Sequence, residues 1–319
     1  MELVTMLSSW RFFVVCAGAL LLIVLSFDVT QVQMTMMPVP KQIAAVHAQR
    51  ILAPTVTTRR RERKETCRVQ FVFAGPKYNY NNFPTLQSWI HYGDPKCQIE
   101  LLRSNHPLIA KLPPRRARMF HEVDFLPIIQ ADMLKLFAVY YLGGLAIDLD
   151  VEALKPYPQQ WVGPGTTLAT CDVVLGIEVN CFDDICARTM VRKGQIQNWA
   201  MYSRRLRSPF LNELIDYIVE KYESVAPLPH NVSVQEVAGS GLITDFVQIY
   251  GNFTRPFYRF RTPPHGNSLF SLPSSVLRIN KSGEEVCIVG ASYTGGACGG
   301  LPECLLRHKY ENSWRSSTS

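Results

Sequence analysis

The chain has 319 residues, 47% of them hydrophobic, which is enough apolar material for one large domain or two small ones around a proper core. The formal net charge of +7 suggests an acidic partner, but much of it lies in one short run, RRRERK at 59–64. No aromatic residues alternate with these basic residues, as base stacking would require, so the sequence argues against a nucleic-acid partner.

The N-terminal segment is strongly apolar. The uninterrupted stretch FFVVCAGALLLIVLSF exceeds the core of about 7–15 residues in a cleaved signal peptide, and its flanks extend it toward the about 17–25 of a spanning helix. The DVTQVQ that follows offers no small-x-small cleavage site. We therefore predict a transmembrane signal anchor at 12–32 behind a cytosolic tail at 1–11, with a cleaved signal peptide as the alternative.

Residues 33–66 show no sustained hydrophobic period and are predicted to form a stem, so the folded body is 67–319. Two features agree with a lumenal position for this body. N-glycosylation acceptors occur at Asn231, Asn252 and Asn280. Of nine cysteines, all but the one in the anchor form an even set, which predicts disulfides with the pairing left open. A structural zinc site, the alternative, would need a second closely spaced cysteine pair.

The body alternates strand and helix patterns. Apolar runs predict strands at 69–75, 98–103, 145–149, 172–178 and 275–280. Helical spacing predicts helices at 82–91, 127–142, 209–222 and 241–250, with Ser208 as the N-cap of the third. This alternation predicts an α/β sheet with helices on its faces.

Three carboxylates follow at every second position where the central strand ends, in YYLGGLAIDLDVEALKP. Asp148, Asp150 and Glu152 would project from one side of a continuous strand. In open α/β sheets ligands bind beyond the carboxyl ends of strands, and paired carboxylates suit Mn²⁺ or Mg²⁺. Such a cation relieves the repulsion and can hold a diphosphate as a Lewis acid. A solvated acidic turn is the alternative, because an isolated D-x-D pattern is common.

The preceding helix carries Asp132 and Lys135 on one face. The two residues are either a surface ion pair or a carboxylate and a cation that face the same ligand as the strand end.

A family resemblance becomes specific at these residues. The stretch QADMLKLFAVYYLGGLAIDLDVEALKP resembles the D-x-x-R…Y-x-x-G-G-x-Y-x-D-x-D signature of glycosyltransferase family 32, above all the fungal initiating α-1,6-mannosyltransferases and their relatives. The resemblance continues in order through FPTLQSWIHYGDPKCQIELL, VLGIEVN, GQIQNWAMYSRRLRSPFL, GSGLITDFVQIYG and RHKYENSW. It implies a GT-A type, Rossmann-like catalytic domain at 67–319. It also implies a glutamine-tryptophan helix within GQIQNWAMYSRRLRSPFL.

The resemblance also implies roles for single residues. Asp148 would contact the ribose or sugar, Asp150 would bind the metal that carries the diphosphate, and Asp132 would hold the hydroxyls of the donor sugar. These three are the predicted catalytic residues. Lys135 would join Asp132 and Asp148 in donor binding, and His308 is a candidate further metal or diphosphate contact.

At the C-terminus, Ser313 and Trp314 would close over the donor phosphates. Glu178, Trp199 and Asp245 are candidate residues on the acceptor side or behind the residues that contact the ligands, although Trp199 can equally be a core aromatic.

Three positions depart from the family pattern. Lys135 stands where arginine is usual, so the charge is kept without the bidentate geometry. Ala146 stands where tyrosine is usual, which would remove a ring from beside the donor. Gly239-Ser240-Gly241 replaces Thr-Gly-Pro.

Together these observations predict a Golgi single-pass type II membrane glycosyltransferase. It would use Mn²⁺ or Mg²⁺ for retaining transfer of a hexose, foremost mannose from GDP-mannose in α-linkage, to a glycan acceptor on a glycoprotein or glycolipid. The partners implied are the nucleotide sugar, the acceptor, the membrane and other members of a glycosyltransferase complex. One alternative is a UDP-galactose or UDP-N-acetylglucosamine donor. The other is a non-catalytic, glycan-binding or scaffolding subunit, which the changes at Lys135 and Ala146 motivate.

Overall fold

The computed structural model describes residues 67–74, 85–179, 181–185, 188, 190–229, 231–259, 276–296 and 298–310. All of them belong to the unit Ala44–Ser319. The predicted tail, anchor and stem, together with Ser313 and Trp314, lie outside these ranges. Within the ranges, no helix combines the length and the apolar character that crossing a membrane requires.

Nine strands are present in the described residues. They are β1 (Arg68–Val72), β2 (Gln98–Leu102), β3 (Gly144–Asp148), β4 (Val151–Ala153), β5 (Val173–Gly176), β6 (Ala200–Ser203), β7 (Val276–Lys281), β8 (Glu284–Val289) and β9 (Leu306–His308). Seven strands form one sheet in the order β2-β1-β3-β6-β5-β8-β7, and β4 pairs with β9 separately.

The central sheet is mixed. Strands β2, β1 and β3 are parallel, β5 and β8 are parallel, and β6 lies between β3 and β5 antiparallel to both. Strand β7 is antiparallel to β8 at the edge of the sheet. Because β3 and β5 run in the same direction, their carboxyl ends open at one edge, where α/β sheets bind ligands.

Seven α-helices lie in the described residues, alongside short 3₁₀ turns. They are α1 (Leu86–Tyr92), α2 (Pro114–Glu122), α3 (Pro127–Tyr141), α4 (Gln159–Val162), α5 (Pro209–Val225), α6 (Ser240–Tyr250) and α7 (Ala291–Thr294).

Helices cover both faces of the sheet. Ala146, Leu175 and Met201 on one face belong to a core cluster with residues of α2, α3, α5 and α6. On the other face, Leu145 lies in a second cluster, which contains Trp161 and other residues of α1, α4 and the β4–β9 pair. The prediction of an α/β sheet flanked by helices is therefore confirmed.

Helix α3 and its exit determine where β3 ends. The helix begins with Pro127 in its first turn and is buried along nearly its whole length, as expected for a helix that is apolar on all sides. Gly143 and Gly144 then take positive φ values of 68° and 80°. A Cβ on Gly144 would lie 2.7 Å from the carbonyl oxygen of Arg68, so the tight passage into β3 requires glycine.

The glutamine-tryptophan helix implied by the family resemblance is wrong. The segment is instead a loop that leads into β6, in which the backbone pairs with β3 and β5. Met201 and Tyr202 are buried on opposite faces of the sheet, a period of two that suits a strand and not a helix. The next helix, α5, begins at Pro209, and the side chain of Ser208 caps it by accepting from the Leu211 amide.

Disulfides are present, as predicted from the cysteine count. They join Cys67 to Cys97, Cys171 to Cys287 and Cys298 to Cys304, and Cys181 is disulfide-bonded as well.

Candidate functional site

The candidate site is a cluster of three side chains at the carboxyl end of β3. Asp148 is the last residue of the strand, and the chain then turns through Asp150 into β4. Strand β9 pairs with β4 so that His308 lies opposite Val151, and the Lys309 amide donates to the Asp150 carbonyl. One ligand atom from each of Asp148, Asp150 and His308 lies within 4.8 Å of the other two.

This donor set fits a divalent cation. Nε2 of His308 lies 3.1 Å from Oδ1 of Asp150, while Nδ1 is buried without a hydrogen-bond partner in the described part of the chain. Nε2, the ring nitrogen that faces Asp150, is therefore the candidate ligand atom, and with the two carboxylates it offers a cation three donors. Two carboxylates with one imidazole suit Mn²⁺ better than Mg²⁺, which prefers oxygen ligands.

Asp132 and Lys135 extend the site beneath the cluster. Nζ of Lys135 lies 2.6 Å from Oδ1 of Asp148 and 3.1 Å from Oδ1 of Asp132, and the side chains of Lys135 and Asp132 are each only 1% exposed. The alternative of a surface ion pair is therefore wrong. Helix α3 packs on the face of β3 that carries Asp148, which brings the three charged groups together.

Burial shifts the protonation of these groups. Burial raises the pKa of Asp132 to about 7; the positive charge of Lys135 opposes this shift and the negative charge of Asp148 adds to it. Burial also raises the pKa of Asp148 against the effect of Lys135, with Asp150 adding repulsion. Burial alone would lower the pKa of Lys135, but the attraction of Asp148 and Asp132 raises it. Lys135 is therefore a permanent positive charge between Asp132 and Asp148. A bound metal cation would favour the ionised form of these acids.

Trp199 contacts two members of the cluster. Its carbonyl oxygen accepts from the Asp148 amide at 2.9 Å. Its indole stacks on the His308 ring, with centroids 4.9 Å apart and planes 9° from parallel.

The other predicted acceptor-side residues differ in their surroundings. Glu178 follows β5 at the same edge of the sheet as Asp148, accepts from Nε2 of Gln195 at 2.6 Å, and has a pKa that burial raises. Asp245 lies on α6 and accepts two hydrogen bonds from Arg192 at 2.8 Å, so this carboxylate is held in an ion pair.

Glu152 does not continue the carboxylate row. The turn through Asp150 interrupts the strand, and Glu152 pairs across the β4–β9 ribbon with Arg307 and with Lys309, the latter at 2.8 Å. Lys155, which lies nearby in sequence, donates to the carbonyl of Pro302.

Ala146 does not line the site. It is fully buried between β1 and β6 in the middle of β3, so the expectation that this position lies beside the donor is wrong. The reason is its place on the strand: it lies two residues before the exposed end, on the face that α3 covers.

Sequence reasoning missed two neighbours of the site. Asn198 lies beside Asp132, where its side chain favours the ionised carboxylate. The Tyr310 ring meets the His308 ring edge-on at 4.2 Å. Asn198 directly precedes Trp199 in a quoted block, and that adjacency is the one signal that pointed to it.

Comparison with known proteins places the chain in no family. No model of a known protein family matches it, and no curated protein matches it. Among solved structures, a PaToxG glycosyltransferase is a distant neighbour with 13% identity and a TM-score of 0.39, over 58% of this chain and 69% of that chain. A TM-score that low is not grounds for assigning either a family or an activity.

Proposed function

We propose that this chain is a metal-dependent glycosyltransferase of the GT-A type that transfers a hexose from a nucleotide sugar. The observation that carries the proposal is the convergence of Asp148, Asp150 and His308 at the carboxyl end of β3, above the buried pair of Lys135 and Asp132. Two carboxylates, an imidazole and a buried cation at this edge match what binding a sugar diphosphate requires.

Asp150 and His308 would hold the cation, with Asp148 beside them. When bound, the metal would supply Lewis-acid stabilisation of the leaving diphosphate. Lys135 orients Asp148 from below through the 2.6 Å contact and would complete the set of donor-binding side chains that the family resemblance implies. Asp132, on the same helix face, would accept from the hydroxyls of the donor sugar, as the family resemblance implies.

The transfer itself would need little nucleophilic catalysis by a side chain of the protein. In a retaining, front-side reaction the leaving diphosphate oxygen takes the proton of the acceptor hydroxyl as the new glycosidic bond forms. The chain would contribute by positioning the donor and by stabilising the leaving charge. Glu178, half-buried at the same edge of the sheet, is the candidate on the acceptor side.

We further propose mannose from GDP-mannose as the donor, because DVEALKP resembles the mannosyltransferase group most closely. We propose the Golgi lumen as the location, with the chain anchored in the membrane by 12–32. Disulfides among the described cysteines support an oxidising compartment, and the three sequon asparagines are exposed. The buried position of Ala146 removes one of the two reasons for a non-catalytic subunit.

The test uses the full chain, purified in detergent. Thermal shift and donor hydrolysis are measured across GDP-mannose, UDP-galactose and UDP-N-acetylglucosamine, with and without Mn²⁺. Stabilisation and hydrolysis with GDP-mannose that require Mn²⁺ are the expected result, and the same behaviour with a UDP-sugar would change the donor only. Absence of metal-dependent turnover with every donor would favour the non-catalytic subunit.

Two variants locate the metal. Asp150→Asn should abolish the Mn²⁺-dependent stabilisation. Glu152→Gln is the matched control, because this carboxylate lies on the same ribbon but pairs with Arg307 and Lys309. Stabilisation that survives Asp150→Asn would contradict the metal assignment.

A further inference from the structure

Trp199 joins two donor residues that come from distant parts of the chain. Asp148 ends β3, whereas His308 ends β9, near the other end of the described residues. The carbonyl of Trp199 accepts from the Asp148 amide at 2.9 Å, and its indole lies flat against the His308 ring at 4.9 Å. One residue therefore contacts the backbone of one candidate ligand and the side chain of another.

The His308 ring depends on such a contact for its orientation. It is carried by β9, a strand of three residues whose backbone pairs with the equally short β4, and this pairing leaves the rotation of the ring to side-chain contacts. A metal-binding histidine is normally oriented by a hydrogen bond from its second ring nitrogen. Nδ1 of His308 has no such partner in the described residues, while Nε2 faces Asp150. Besides the contact of Nε2 with Asp150, the ring is held by its contacts with the rings of Trp199 and Tyr310.

We propose that Trp199 is a positioning residue for the metal site. Its indole fixes the plane of the His308 ring, and its carbonyl fixes the position of the Asp148 backbone. Trp199 is only 3% exposed, so little of its side chain is open to a substrate. The inference rests on the proposed metal site. A positioning role for Trp199 can be distinguished from an ordinary core role, because a core tryptophan would affect the stability of the fold without affecting the affinity for metal.

The test measures binding of Mn²⁺ itself to the full chain by titration calorimetry. Trp199→Met fills much of the volume but removes the ring, and it should weaken Mn²⁺ binding by about tenfold or more, since residues that orient a ligand typically contribute about 10- to 100-fold. Trp199→Phe keeps a ring for stacking and should restore most of the affinity. Trp161→Met is the matched control, because Trp161 is similarly buried (4% exposed, against 3%) in the same core cluster.

A double-mutant comparison and a spectrum separate positioning from general loosening. In a His308→Ala background, Trp199→Met should cause no further loss, because the group that it positions is absent. With Co²⁺ as the probe, Trp199→Met should change the visible absorption as His308→Ala does, whereas Trp161→Met should not. If the Trp199→Met variant does not fold, Trp199→Leu is used in its place.

The outcomes that overturn the inference are distinct. Wild-type Mn²⁺ affinity in Trp199→Met, or equal losses in Trp199→Met and Trp161→Met, would show that Trp199 is an ordinary core residue while the metal site stands. A wild-type chain that binds no Mn²⁺ would remove the proposed metal site and this inference together.

Discussion

Nζ of Lys135 lies 2.6 Å from Oδ1 of Asp148, and this contact joins helix α3 to the end of strand β3. Lys135 is fully buried and also lies 3.1 Å from Asp132. The lysine thus neutralises two acids that would otherwise be buried together without a counter-charge. The same contact holds Asp148 where the candidate metal ligands converge, so one ion pair serves both the stability and the geometry of the site.

Removing this lysine should be costly. Lys135→Met leaves two carboxylates without their cation, and breaking a buried ion pair typically destabilises by about 3–5 kcal/mol. Urea unfolding in the presence of a chelator measures the change. Lys281→Met is the control: Lys281 lies 3.6 Å from Glu213 and both side chains are almost half exposed, so its loss should cost only about 0–1 kcal/mol. Equal effects of the two variants would contradict the structural role of Lys135.

The raised pKa of Asp132 predicts a pH dependence of stability. Because burial raises this pKa from 3.8 to about 7, the folded state keeps a proton that the unfolded state has lost between these values. The unfolded state binds fewer protons there, so the free energy of unfolding should fall as pH rises through this window. Asp132→Asn has no such proton to lose.

The comparison of wild type with Asp132→Asn isolates this carboxyl from the other acids of the site. In metal-free buffer, the stability of the wild type relative to the variant should decrease steadily from about pH 4 to about pH 7. Thermal unfolding at a series of pH values gives the difference. A difference that is constant, or that grows with pH, would show that Asp132 is ionised in the folded state throughout.

The Cys171–Cys287 disulfide should contribute more to stability than the Cys298–Cys304 disulfide. The first joins residues 116 apart and the second residues 6 apart. In the chain-entropy account a loop of about 100 residues contributes about 4.7 kcal/mol and one of about 15 residues about 3 kcal/mol. Paired serine substitutions of each disulfide, compared by urea unfolding, test the order. A larger loss from the short loop would mean that the entropy of the unfolded chain does not dominate here.

Glycosylation tests the lumenal placement. Asn231, Asn252 and Asn280 are all exposed, and Asn280 lies on the edge strand β7, where an enzyme can reach it. Expression in a glycosylating eukaryotic host should therefore give a protein whose mass falls on treatment with a peptide N-glycosidase. Each Asn→Gln substitution should remove one glycan. A chain that carries no glycan in such a host would contradict the lumenal position of the body.

Local patterns predicted the parts of the site that lie close together in sequence. The apolar run before Asp148 and the spacing of Asp132 and Lys135 predicted strand β3 and a shared helix face. Each of these features depends on interactions between residues a few positions apart, and such interactions are visible in the periodicity of the sequence. The strand β6 was missed because its place in the sheet depends on pairing with β3 and β5, which lie far apart along the chain.

The sequence by itself determined that carboxylates follow a buried strand, and that the preceding helix carries one acidic and one basic residue on the same face. The tertiary structure decided what surrounds them. Pairing of β4 with β9 brings His308 to Asp150, assigns Glu152 to Arg307 and Lys309, and places the indole of Trp199 against His308. The physical reason is that strand pairing fixes register between distant segments, and a one-residue change of register would turn His308 to the opposite face of its ribbon.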